Sequence, residues 1–475
     1  MEHPNIVVIV LDSVRYDRTS LRGHHRDTTP NIEKIADRTD GRSFETAMAH
    51  TRYTLPSAAS ILTGKYPGDH GAGFGSNRVN QHVPTVAEAF RAAGYTTALV
   101  SNNHFVSPET GLDRGFDTTE VLPKTPMGIV RTVGVKSVAT WLAKIRQHSA
   151  GFETDKYRHS SAYLMTDLVD QQLSSLEARS DPFFLFAHYN QPHRPYYPPV
   201  AWFDKYGDAF RMSRSEAGDF SMEVHNNLVE KVAKGCPFTE DEWAVLHALY
   251  DAQIEYTDRF IGELFRRIQR DFDDTIVVIT SDHGEHLGER GALGHKYILD
   301  DALLHVPLVT SGLEVPSTVQ PVQHSDLMCT LLREGGANAD FVDGVDLRRD
   351  ERHIAVSQDT TRSLDPIYEV NQEFDAAKFF PGADRSLPER TSIRTTTHRY
   401  VRGADDAKAL FELPDESQDI SDEASGLVRE FDDELDNWLA DHKSISSSSR
   451  RDSDREISQE TKVRLERLGY REEDL

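Results

Sequence analysis

Two β-branched apolar runs, one at the start of the chain and one well past its middle, most constrain the fold. Asn5-Ile6-Val7-Val8-Ile9-Val10-Leu11 leads into Asp12, and Thr275-Ile276-Val277-Val278-Ile279-Thr280-Ser281 leads into Asp282-His283-Gly284. Unbroken Val/Ile runs of this kind mark strands buried on both faces, as in a parallel sheet covered by helices. In such sheets ligands bind just outside the carboxyl ends of the strands. Asp12, Asp282 and His283 are therefore expected to meet in space. Oxygen ligands plus one imidazole suit a hard or borderline divalent cation. Either acidic strand end alone reads equally well as a turn, because Asp and Gly both favour turns. Two matching ends favour the metal.

A third element lies between them, Thr51-Arg52-Tyr53-Thr54-Leu55-Pro56-Ser57-Ala58-Ala59-Ser60-Ile61-Leu62-Thr63-Gly64. Residues 57–63 read as helix, with Pro56 in its first turn and Thr54 as a cap. A hydroxyl at a helix start lies beside unpaired N–H groups, a natural anion site. Capping alone would account for an isolated Thr54. Next to three metal-ligand candidates, the same hydroxyl can also coordinate a cation.

Together these segments resemble the sulfatase branch of the alkaline phosphatase superfamily. The resemblance rests on Asp12, on Thr54-x-Pro-Ser-x-Ala-Ser-Ile-Leu-Thr-Gly64 and on Ser281-Asp282-His283-Gly284. Further segments match in order: Thr29-Pro30-Asn31, Gly94-Tyr95-Thr96-Thr97 leading to His104, and Phe183 to Phe186 followed by Pro192-His193-Arg194-Pro195. Beyond these come His305-Val306-Pro307, His324-Ser325-Asp326 and Ser392-Ile393-Arg394-Thr395. The resemblance covers roughly residues 4–442. It implies an α/β fold in which a large, mostly parallel sheet is sandwiched by helices, with a smaller C-terminal α+β subdomain. The expected division is a catalytic domain over 1–345, a C-terminal subdomain over 346–443 and a flexible polar tail with a short helix over 444–475.

The departures are informative. Typical sulfatases carry Cys-x-Pro-x-Arg, whose Cys becomes formylglycine; here Thr54 takes the Cys position and Ala58 the Arg position, so no formylglycine is expected. The family's paired Asp-Asp is Asp12-Ser13, and the Lys of its Lys-x-His is Asn102, with His104 kept. The remaining set of Asp12, Thr54, Asp282 and His283 is similar to the single-metal set of lipoteichoic acid synthases and phosphoethanolamine transferases. The resemblance implies one divalent cation (Ca, Mg, Mn or Zn) held by these four, with Thr54 also the nucleophile. It implies that His193, His104 and Lys296 bind the anion's free oxygens and that one of them protonates the leaving group. His295 competes with Lys296 for that role. Arg52 either replaces the missing Arg or lies at the surface, and His286 reads as a turn residue beyond the metal pair.

The nucleophile position bears on the substrate. Attack by a simple alkoxide on a sulfate ester leaves a sulfo-enzyme, which formylglycine escapes because its second hydroxyl expels the sulfate. Threonine has no second hydroxyl, whereas a phosphothreonine can be opened by in-line attack of water or an alcohol. The expected function is thus metal-dependent hydrolysis of sulfuric or phosphoric esters, with phosphate mono- or diesters or phosphonates favoured over sulfate esters. The alternatives are phosphotransfer to an alcohol acceptor and a degenerate, non-catalytic binding module.

Composition adds bounds. The chain has 475 residues, enough for one large α/β domain and a smaller one. Cys236 and Cys329 give neither a disulfide framework nor a metal motif. The first strand begins at Asn5, which leaves no room for a signal peptide, and no apolar run spans a bilayer; a cytoplasmic enzyme is the default expectation. With a net charge of −25, neither nucleic acid nor an anionic membrane surface is an expected partner. The partner implied is a small anionic ester, and oligomeric state is not legible.

Strands are expected near 5–11, 44–48 and 95–101, with helices over 30–38, 57–63 and 84–93. Residues 118–158 read as irregular, and helices follow over 159–178 and 240–270. Residues 196–240 read as a long insertion shaping substrate access. A strand pair near 390–413 and a helix near 424–441 complete the C-terminal part.

Overall fold

The structure, a computed structural model, describes residues 3–73, 76–316, 320–359, 390–403 and 406–442. The expected tail and its short helix lie outside these residues. Seven strands form the main sheet: β1 Asn5–Asp12, β2 Gly41–Ser43, β3 Thr96–Ser101, β4 Thr118–Val121, β5 Phe183–Pro192, β6 Thr275–Ser281 and β7 Leu308–Ser311. Their spatial order is β2-β7-β6-β1-β5-β3-β4. Only β7 runs against its neighbours. β1 lies between β6 and β5, so both metal-ligand runs are central and adjacent.

Strand alternation sorts the side chains into two cores. Val7, Ile9 and Leu11, with Leu185, Ala187, Val277 and Ile279, face one layer. That layer holds α1 (Pro30–Ala36), α5 (Ala162–Glu177) and α6 (Glu240–Asp271). Ile6, Val8 and Val10, with Phe184, Phe186, Ile276 and Val278, face the other. There lie α2 (Thr54–Thr63) and α3 (Val86–Ala92). The even-numbered positions of β1, β5 and β6 thus look toward the helix that begins with Thr54.

A separate antiparallel sheet of β8 (Ala355–Asp359), β9 (Arg390–Arg394), β10 (His398–Gly403) and β11 (Lys408–Glu412) carries α7 (Ser425–Asp441). Val356, Ile393, Tyr400 and Leu410 bury Phe431 and Leu435 of that helix. The strand pair expected near 390–413 is three strands, and Ala355–Asp359 joins their edge as a fourth.

Two expectations are corrected. Residues 118–158 are not irregular: they hold β4 and α4, Pro126–Ala143, which is broken at Gly134 (φ 86°). This helix escapes detection because apolar residues occupy its outer face as well as its inner one, which erases the periodicity. The 196–240 insertion contains helices at Arg214–Asn226 and Leu228–Ala233, the first opened by a Ser213–Glu216 capping box.

Candidate active site

β1, β5 and β6 deliver three buried groups to one point. Asp12, His188 and Asp282 each offer a ligand atom, all within 4.8 Å of one another. His188 Nε2 is 3.3 Å from Asp282 Oδ2. His283 Nε2 is 3.7 Å from Asp12 Oδ1 and 3.8 Å from Asp282 Oδ2. Its ring is fixed by a 2.8 Å contact of Nδ1 with the Gly284 carbonyl, which makes Nδ1 the donor and turns Nε2 inward.

Thr54 joins this group from the other side. Its hydroxyl lies 3.4 Å from Asp12 Oδ2 and 3.3 Å from His283 Nε2. The helix begins at Thr54 itself with Tyr53 as N-cap, and no side chain caps it. The expectation of Thr54 as a cap is thus corrected: its oxygen points at the acidic group. One turn on, the Ser57 hydroxyl donates to the Asp282 carbonyl and anchors α2 to the end of β6.

The turn after β1 is unusual. Ser13 has φ 68°, a left-handed conformation uncommon for a residue with a Cβ. This turns its backbone N–H onto Asp282 Oδ1 (3.2 Å), while its hydroxyl donates to Asp12 Oδ1 (2.6 Å). Asn103 Nδ2 donates to Asp12 Oδ2 at 2.8 Å. Asn102 instead accepts from the Asn190 backbone N–H and donates to Ser161.

The electrostatics of the pair fit a dication. Burial, and then the charge of Asp282, push the Asp12 carboxyl up to about 7. Burial also raises Asp282, but His283 and His188 outweigh it and hold that carboxyl well below the usual range. Two fully buried carboxylates side by side are costly without a cation or a shared proton. With an imidazole or two and a hydroxyl completing the set, the donors match a small divalent ion.

The expected anion-binding residues divide. The His295 ring lies 4.6 Å from that of His283 and 5.1 Å from that of His193, so three imidazoles line one wall. Glu285, fully buried, stands behind His295 with Oε2 3.3 Å from Nδ1. Burial and the neighbouring His283, Arg194 and Lys296 push the His295 imidazole well below its usual range. Lys296 itself is half-buried. His104 faces Glu109, 3.7 Å away. Arg52 is neither at the surface nor turned to the cation group. It is 3% exposed, pairs with Asp359 at 2.5 Å and donates to the His295 carbonyl at 3.1 Å. It therefore ties the start of α2 to β8. His286 is buried against Asp300 (2.9 Å).

His188, Ser13 and Asn103 are the members that the sequence reading missed. For His188 a signal exists: it continues the even-numbered face of Phe184 and Phe186, the face shared with Val10. Attention went instead to His193, between two prolines.

A buried acidic and imidazole cluster stands at the carboxyl end of a parallel sheet beside a threonine hydroxyl, an arrangement that could hold a metal ion. The Sulfatase family profile matches residues 4–337, and the chain belongs to that family. It is 25% identical over 455 residues to a choline-sulfatase of Rhizobium meliloti (strain 1021), covering 86% of this chain and 80% of that protein. It is 23% identical over 505 residues to the multifunctional alkaline phosphatase superfamily protein PehA of Trinickia caryophylli, covering 93% and 96%. The phosphonate monoester hydrolase of Agrobacterium radiobacter has a similar fold, with TM-score 0.68, 22% identity and coverage of 94% and 97%. The chain is an ester-hydrolysing enzyme of the sulfatase family. Among the described residues, no helix is long and apolar enough to cross a membrane.

Proposed function

We propose that the protein hydrolyses phosphoric esters, with Thr54 as the nucleophile. The observation that carries this reading is the Thr54 hydroxyl within 3.4 Å of both Asp12 and His283. Its proton has an acceptor in Asp12 Oδ2, towards which it already donates. The threonine oxygen attacks phosphorus in line, the bond to the leaving oxygen breaks, and a phosphothreonine forms. Water then attacks the same phosphorus and releases Thr54 with inorganic phosphate or a phosphonate.

Asp12, Asp282 and His283, with Thr54 and His188 as further donors, hold one divalent ion in this reading. When bound, that ion lowers the pKa of the hydroxyl and offsets the charge that develops on the phosphoryl oxygens. His295 and His193, held neutral by burial, orient the free oxygens, Glu285 fixing the ring of His295, and the proton for the departing alkoxide comes from Lys296. Lys296 adds a positive charge to the same wall. His104, beside Glu109, stands at the rim, and Arg52 holds the floor in place.

Phosphorus is favoured over sulfur because Thr54 has no second hydroxyl with which to expel sulfate. A choline-sulfatase is a relative and a phosphonate monoester hydrolase shares the fold, so the fold accommodates either ester. Aryl sulfate, phosphate monoester, phosphate diester and phosphonate monoester substrates, each run with Mg, Ca, Mn and Zn, test the choice. Acid-quenched enzyme is then digested and weighed. A phosphate adduct on the Thr54 peptide is expected. Faster turnover of the sulfate ester than of every phosphorus ester overturns the preference.

A further inference from the structure

From Val121 to Phe152 the chain contains no acidic residue, although it has 78 Asp and Glu against 53 Lys and Arg overall. The same stretch carries Lys124, Arg131, Lys136, Lys144 and Arg146. It also contains every large apolar side chain that stands exposed among the described residues: Met127 (64%), Val135 (72%), Leu142 (47%) and Phe152 (93%).

The two features lie close together along the chain. In the second half of α4, Val135, Ala139 and Leu142 fall at i, i+4 and i+7 and are all exposed. In the first half, Met127 and Arg131 lie one turn apart on the outside. Lys136, Lys144 and Arg146 are exposed around them. The opposite side is already used: Val133 is buried, Ile129, Val138 and Trp141 pack on the core, and Gln171 of α5 donates to the Val133 carbonyl at 3.0 Å. Among the described residues, nothing covers the outer apolar side chains, which stand exposed.

We propose that this segment docks the enzyme on an anionic lipid surface. Charge complementarity selects that occupant. Exposed apolar side chains interleaved with cations are the composition of a helix lying in a bilayer interface, the apolar tips below the headgroups and the cations among them. A second copy of this chain in a two-fold contact through the same face would set Arg131, Lys136 and Lys144 against a surface of like charge. Nucleic acid would leave the four apolar side chains in water. The net charge of −25 opposes a membrane only as an average; this stretch carries five cations and no acidic residue of its own, although Asp167 and Asp170 of the neighbouring helix lie close by.

The segment also starts at the active-site end of the sheet. β4 runs parallel to β3, so α4 leaves the sheet at the end where Asp12 and Asp282 lie. The chain returns to that rim at Ser161, which accepts from Asn102, the neighbour of Asn103. Docking here would hold the mouth of the site close to the headgroup layer.

The test is co-sedimentation of the full chain with phosphatidylcholine vesicles, with and without phosphatidylglycerol. Binding is expected on the anionic vesicles and at least ~10-fold weaker binding on the neutral ones. M127S/V135S/L142S/F152S is expected to lose at least ~10-fold in affinity. K136E/K144E/R146E, which alters only exposed charges, is expected to do the same. Both variants should keep wild-type turnover of a soluble ester, which reports that they fold. Equal binding to both vesicle types, or unchanged binding by the charge-reversal variant, overturns the proposal. So does a wild-type dimer that dissociates in the apolar variant while vesicle binding persists.

Discussion

The Ser13 backbone N–H donates to Asp282 Oδ1 at 3.2 Å, across the junction of the first and sixth strands of the main sheet. Ser13 reaches it only in a left-handed conformation, and its hydroxyl holds Asp12 at the same time. One strained residue thus sets the spacing of both carboxylates. Ser13→Ala should weaken divalent-cation binding roughly 10–100-fold, as loss of an outer-shell partner does. Ser13→Gly should weaken it similarly yet melt higher than Ser13→Ala, by about 1 kcal/mol of relieved strain. Calorimetric cation titration and thermal unfolding read the two effects separately.

Thr54 makes no capping bond, so its hydroxyl can be removed at little cost to the fold. Thr54→Ala should reduce kcat on the order of 10⁴-fold or more, the scale of nucleophile loss in covalent hydrolases. Its unfolding free energy should change by no more than about 1 kcal/mol. Turnover within a few-fold of wild type would remove the covalent route. Thr54→Ser, which keeps the oxygen, should retain measurable activity.

Arg52 and Asp359 form an ion pair with almost no solvent access, 4% and 1% side-chain exposure. Removing one member strands the other charge, and Arg52→Met should cost about 3–5 kcal/mol in denaturant unfolding. Asp359→Asn should cost less in the Arg52→Met background than in the wild type, the signature of direct coupling. Because Arg52 also holds the His295 carbonyl, KM should rise in Arg52→Met.

His70 predicts a pH dependence of stability. Burial lowers its imidazole from 6.5 to about 3, and its ring is fully used by Ser60 and the Ala72 N–H. Between those values the unfolded chain carries a proton at His70 that the folded chain does not. Stability therefore falls as pH drops through that window, by up to about 1.4 kcal/mol per pH unit from this one group. Urea midpoints measured from pH 7 to pH 4 should fall less steeply in His70→Gln than in the wild type. Parallel curves would assign the acid sensitivity elsewhere.

The two Val/Ile runs made the centre of the sheet legible, because a strand covered on both faces has no polar positions to confuse its reading. They also led to Asp12, Asp282 and His283, since strand ends in such sheets point at ligands. Thr54 was legible as a hydroxyl near a helix start, but not as the first helical residue, because caps and first-turn positions share the same residue preferences. His188 was hidden inside a strand read only for its apolarity; counting its parity against Phe184 and Phe186 would have exposed it. Ser13 could not be found from sequence, since nothing local announces a left-handed serine. The fate of Arg52 depended on Asp359, a contact between residues far apart in the chain. The 126–143 helix was missed for the opposite reason to most helices, too many apolar faces instead of too few.

The placement of the first strand between the fifth and the sixth has a consequence for biogenesis. That first strand sits in the middle of the sheet, and both its neighbours are synthesised long after it. Until residues 275–281 emerge, one edge of this strongly apolar ribbon stays unpaired, even after residues 183–192 have joined the other. Completion of the sheet is therefore a late event of synthesis, and shielding that edge in the interval falls to the rest of the growing chain or to a chaperone.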